Sequence, residues 1–120
     1  MITFADLGSY GRLGNQLFQY AALKAVGLEK GLEVKIPDPS HSSWHGQDCL
    51  LDNFSLECGY LTQKDFESIK YLFVETDINR YDDRILDIPD FTNLAGFFQS
   101  TLYFIKHEDQ IRKEFQLKEE

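Results

Sequence analysis

Apolar and polar positions change their period three times within the first forty residues. Residues 1–6 read as a short strand, and residues 7–14 as a glycine-rich turn in which Gly8, Gly11 and Gly14 are evenly spaced. Leu17, Phe18, Ala21, Ala22, Ala25 and Leu28 then recur at helical spacing, which predicts a helix from Asn15 to about Lys30 with one apolar face and Gly31 as its stop. Residues 32–36 return to strand character. A strand, glycine turn, helix and strand in that order make a βαβ unit, which implies a parallel sheet and places the turn at the carboxyl end of the first strand, where ligands usually bind.

Beyond this unit the pattern loosens. Residues 37–49 form a polar loop carrying Pro37, Pro39, His41, Trp44, His45 and Gly46. Residues 50–70 are irregular except for a short helix expected over 62–69, which Thr62 can cap. Residues 71–75 read as a strand, 77–90 as an acidic surface connection and 93–98 as a further strand. A helical pattern with a break near His107 then runs toward Phe115. Ser100 is a natural N-cap there, Phe97, Phe98, Tyr103 and Phe104 read as core, and Ile111 with Phe115 reads as a docking face.

Composition narrows what such a fold can bind. The chain has 120 residues, 42% of them hydrophobic, enough to bury a core as one domain. Its formal charge of -8 is uneven: residues 1–36 hold four basic and three acidic side chains, and residues 37–120 hold eight and seventeen. That balance argues against nucleic acid, so an anionic ligand would need a local device such as a glycine turn at a helix start. The start of the chain does not resemble a secretion signal, and the sequence lacks an apolar run of membrane-spanning length. A reducing, cytoplasmic or membrane-peripheral setting is therefore expected, with Cys49 and Cys58 as thiols and the sequon Asn53-Phe54-Ser55 unused. His41, His45, Cys49 and Cys58 match no common zinc spacing, so no metal site is expected.

The segment Gly11-Arg12-Leu13-Gly14-Asn15-Gln16-Leu17-Phe18-Gln19-Tyr20-Ala21 resembles the opening motif of the α-1,2-fucosyltransferase family. Leu94-Ala95-Gly96-Phe97-Phe98-Gln99-Ser100-Thr101-Leu102-Tyr103-Phe104 resembles that family's Gly-Tyr-Phe-Gln-Ser stretch and following Tyr-Phe pair, and Ile111-Arg112 with Phe115 resembles the close of the same block. Phe97 stands where the family has tyrosine, and Thr101-Leu102 replaces a more polar pair. No segment like the family's basic His-x-Arg-Arg-Gly-Asp motif, which engages the donor diphosphate, occurs.

The resemblance implies an α/β fold in which residues 1–120 form the N-terminal Rossmann-like domain of a two-domain GT-B-type glycosyltransferase, without the C-terminal donor-binding domain. It implies an inverting, metal-independent transfer of L-fucose from GDP-fucose to a galactoside hydroxyl, with the chain alone inactive. Arg12 and Asn15 are then the expected catalytic residues, and Gly11, Gly14, Gln16 and Gln99 the expected sugar-nucleotide contacts. Set beside this, Asn15 also reads as a plain helix N-cap, Gly14 as a tight-turn residue, and Trp44 as a packing residue rather than an acceptor platform. A non-catalytic sugar- or nucleotide-binding module, or a small scaffold that dimerises through a bared surface, is the competing expectation. A dinucleotide loop or a P-loop is disfavoured, because the glycine spacing differs and no Gly-Lys-Ser/Thr follows.

Overall fold

The computed structural model describes residues 1–7, 13–38, 51, 54–77 and 80–117. Five short strands pair in one sheet: β1 (Ile2–Thr3), β2 (Val34–Ile36), β3 (Gly59–Tyr60), β4 (Tyr71–Val74) and β5 (Thr92–Ala95). Their order is β3-β2-β1-β5-β4 and every pairing is parallel, so β1 lies at the centre with Thr3 opposite both Lys35 and Asn93. Helices flank the sheet. The chain is therefore α/β, in an arrangement compatible with a Rossmann-like domain.

Side-chain alternation explains which face is filled. Ile2, Phe4, Val34, Ile36 and Leu94 share one face by register and are all buried. Helix α1 (Leu13–Lys30) packs on it through Tyr20, Ala22, Leu23 and Val26. The approach is close at Gly27, where an added Cβ would lie 2.4 Å from Val34 Cγ2 and 3.0 Å from the Leu32 carbonyl oxygen. Gly31 ends the helix in the left-handed region at φ 67°, and the Leu32 N–H closes the last turn on the Gly27 carbonyl at 2.9 Å. The opposite face carries Lys35, which pairs with Asp65 of α2 (Gln63–Ser68) at 3.2 Å and so brings α2 to that side. Thr62 caps α2, as the sequence anticipates, and the structure adds the reciprocal bond from the Thr62 N–H to Asp65 that makes a capping box.

Three expectations need correction. Helix α1 starts at Leu13, so Gly14 is helical rather than a tight-turn residue and Asn15 lies inside the first turn, where it cannot be the N-cap. The strand expected over 93–98 stops at Ala95, because Gly96 (φ 145°) and Phe98 (φ 52°) turn the chain and the Glu75 carboxylate accepts the Phe97 and Phe98 N–H groups at 3.3 and 3.1 Å. The acidic connection is only partly superficial: it contains a 3-10 turn (Asp83–Asp87) that buries Ile85, and Ile88 after it is buried too.

The last segment packs inward. Two 3-10 turns, Thr101–Tyr103 and Ile105–His107, lead into α3 (Glu108–Glu114), and Ser100 caps the first by accepting the Leu102 N–H at 3.2 Å. Ile111 is buried, and the Phe115 ring centroid lies 6.0 Å from those of both Tyr20 and Phe54. These two residues therefore dock α3 on its own domain instead of presenting a docking face. Buried Glu114 locks the arrangement, accepting from the Tyr20 hydroxyl, from the Glu57 N–H at 2.8 Å and from Gln110 Nε2 at 2.7 Å, with Lys24 Nζ 3.7 Å away. Burial, reinforced by Cys58 and this carboxylate, pushes the Tyr20 phenol far above its usual range, so the phenol stays a donor.

Candidate functional site

The carboxyl ends of β1 and β5 meet the first turns of α1, and side-chain amides join them. Asn15 and Gln19 sit one helical turn apart on the same face of α1. Asn15 Oδ1 accepts from Gln99 Nε2 at 3.0 Å, and Gln19 Nε2 donates to the Gly96 carbonyl at 3.1 Å. Beneath them, Asn93 Oδ1 accepts the Ala5 N–H at 2.8 Å and ties the end of β1 to β5. Gln19 is fully buried, yet its Oε1 has no hydrogen-bond partner among the described residues, which leaves an acceptor beside the turn after β5.

The turn that carries Gln99 is held from the other side. Glu75, at the carboxyl end of β4, is 8% exposed; Oε1 takes the two turn N–H groups and Oε2 accepts the Tyr103 hydroxyl at 2.7 Å. Tyr103 in turn accepts the Asp82 N–H at 2.9 Å, and its phenol is pushed well above the usual range by burial first and then by the Glu75 bond. The Phe98 ring packs edge-on against Tyr103 and Phe4, with centroids 5.1 and 5.9 Å away. Rigid aromatic packing thus backs a polar rim.

Asn15 and Gln99, 84 positions apart in the chain, are brought into direct contact. Gln16 is buried at 1% exposure on the same helix turn. Gly14 is exposed, and a Cβ built on it would meet nothing within 4 Å, so no packing within the described residues requires glycine there. Gly11 and Arg12 lie outside the described residues, as do His41, Trp44, His45 and Cys49. Cys58 is a half-buried free thiol whose ionisation burial opposes. It borders a depression of about 620 Å³ with Lys24, Glu57 and Gly59, at the amino ends of β2 and β3 and so at the other end of the sheet from Asn15.

Among the described residues no group of three or more His, Cys, Asp or Glu side chains is placed to hold a metal ion, and no helix is long and apolar enough to cross a membrane. Sequence reasoning assigned no role to Gln19, Asn93 or Glu75. For Gln19 a signal existed, since it follows Asn15 by one turn on the same helix face. Compared with known proteins, the chain matches no family model, no curated protein and no solved structure.

Proposed function

We propose that the chain is the N-terminal, Rossmann-like half of a GT-B-type enzyme of the α-1,2-fucosyltransferase kind, acting with GDP-fucose as donor and a galactoside as acceptor. One observation carries the reading. The two segments that resemble the family, 11–21 and 94–104, are far apart in sequence, and their polar residues Asn15 and Gln99 hydrogen-bond at the carboxyl end of the sheet. Unrelated chance matches have no reason to converge on one spot.

In this reading the first turn of α1 turns the positive end of its dipole to the donor diphosphate, and Gly14, exposed and without a side chain, lets the phosphate approach the backbone. Arg12 supplies a cation in the same segment. Asn15 and Gln99 orient hydroxyl or phosphate oxygens by hydrogen bonding. As the acceptor hydroxyl oxygen bonds to fucose C1 and the C1–O bond to the diphosphate breaks, the electron pair leaves with GDP, the hydroxyl proton passes to water or to the leaving diphosphate, and these groups stabilise the charge on GDP.

Titration of the full chain with GDP and GDP-fucose, followed by heteronuclear NMR, tests the proposal. Saturable shifts at Gly14, Asn15 and Gln99 in the millimolar range are expected, with no transfer to lactose by the chain alone. Absence of any perturbation at the start of α1, or shifts confined to the depression at Cys58, would remove the proposal.

A further inference from the structure

The carboxylate of Glu75 touches neither Asn15 nor Gln99, yet the turn between them and β5 has the shape its bonds impose. Gly96 at φ 145° and Phe98 at φ 52° are both in the positive region, which a phenylalanine adopts at a cost unless its surroundings compensate. Compensation comes from three bonds on one buried carboxylate: the Phe97 and Phe98 N–H groups on Oε1 and the Tyr103 hydroxyl on Oε2. The fit is tight on the glycine side too, since a Cβ on Gly96 would lie 2.6 Å from Glu75 Cβ. The residue that emerges from this clamp is Gln99.

We propose that Glu75 is a positioning residue of the candidate site: by fixing the turn at residues 96–98 from the neighbouring strand, it sets the direction in which Gln99 leaves β5 and so holds the Gln99 amide on Asn15. The inference rests on the reading of Asn15 and Gln99 as a ligand-facing pair. Charge itself is not what the clamp needs. An amide oxygen in the place of Oε1 accepts the same two N–H groups, and an amide NH2 in the place of Oε2 can donate to the Tyr103 oxygen, whose hydrogen then turns toward the Arg80 carbonyl 3.4 Å away. Glu75→Gln should therefore preserve the site, whereas Glu75→Ala should release it.

The side-chain NH2 resonances of Gln99, assigned by their loss in Gln99→Ala, report the contact without any ligand. In the wild-type chain and in Glu75→Gln they are expected at the same dispersed positions, and in Glu75→Ala at those of a free glutamine amide, with the Asn15 signals moving as well. GDP titrated into each variant should bind about fivefold more weakly in Glu75→Ala and unchanged in Glu75→Gln, the scale of one net hydrogen bond. Unmoved Gln99 signals in a folded Glu75→Ala overturn the inference. Should that variant fail to fold, Tyr103→Phe removes the donor to Oε2, together with the acceptor of the Asp82 N–H, and keeps the ring against Phe98, and a Gln99 amide untouched there overturns it equally. A wild-type chain that does not bind GDP, combined with Gln99 signals that do follow Glu75, would sink the ligand reading and still support the link from Glu75 to Gln99.

Discussion

Replacing Gly14 by alanine separates a structural from a ligand role at the start of α1, because the two predict opposite outcomes. Gly14 is the second residue of an eighteen-residue helix and does not have the positive φ of Gly31 or Gly96, so alanine adopts its backbone without strain. The added methyl meets none of the described residues within 4 Å. With sterics neutral, helix propensity decides: alanine is favoured over glycine by up to about 1 kcal/mol in a helix interior, and by roughly half of that in a fraying first turn. A gain of about 0.5 kcal/mol raises the thermal midpoint of a chain this size by roughly 2 °C. Urea or thermal unfolding by circular dichroism measures it. If the same open space admits a phosphate, the methyl obstructs it, and GDP should bind several-fold more weakly to the more stable variant. A destabilised Gly14→Ala would refute the geometry at the helix start, and a stabilised variant with unchanged GDP binding would refute the assignment of that space to a ligand.

Gly27→Ala should have the opposite sign: overpacking against Val34 and the Leu32 carbonyl costs about 1–3 kcal/mol, only partly offset by propensity, and denaturant titration reads the loss. Glu114→Ala leaves the buried Tyr20 hydroxyl and the Glu57 N–H without an acceptor, so a loss of about 3–5 kcal/mol is expected, only partly recovered by Glu114→Gln, whose NH2 would face the Gln110 and Lys24 donors. Hydrogen bonds hold the carboxyls of Glu29 (from Lys106 and His107), Glu57 (from Gln110), Asp65 (from Thr62), Asp82 (from Arg84) and Asp90 (from the N-terminal amine) below their ordinary range. Their stabilisation is complete above the unfolded carboxyl pKa of about 4 and is lost as pH falls through the lower folded values, so unfolding midpoints should drop below about pH 4 and stay level from there to neutrality. At the sheet edge, Tyr71, Leu72 and Val74 of β4 are each half or more exposed, so self-association at high concentration is expected there and not through Ile111 and Phe115. Sedimentation of Leu72→Lys should restore a monomer, and a monomeric wild-type chain would exclude this edge.

How much of this was legible in the sequence depends on whether a local rule was involved. The apolar stripe of α1 except exposed Leu28, the stop at Gly31, and the caps at Thr62 and Ser100 all follow from chemistry within a few residues, and each is found where that chemistry puts it. β3 escaped because two residues, Gly59 and Tyr60, have no alternation to detect. Ile85 and Ile88 escaped because single apolar positions in an acidic stretch do not announce burial. The inward turn of Ile111 and Phe115 was unreadable for another reason, since an apolar pair one turn apart marks a buried face without saying what covers it. Glu75 and Glu114 were least legible of all. A carboxylate that organises a core has the same letter as one dissolved in water, and only the arrival of remote N–H and hydroxyl donors tells them apart.

The central position of β1 also has a consequence for the order in which the molecule can be built. β1 is the first strand to be made, yet one of its two neighbours, β5, is about ninety residues later, and the bonds from Phe91 to Met1 and from the N-terminal amine to Asp90 lie on the same seam. During synthesis β1 can pair with β2 early, while its other edge stays open until β5 has emerged. Closing that seam is the most non-local step in the fold and should govern its refolding rate. The contact between Asn15 and Gln99 forms across the same seam, so the candidate site is completed only when the sheet is, and a chain released before residue 92 would carry both an open edge on its central strand and half of a site.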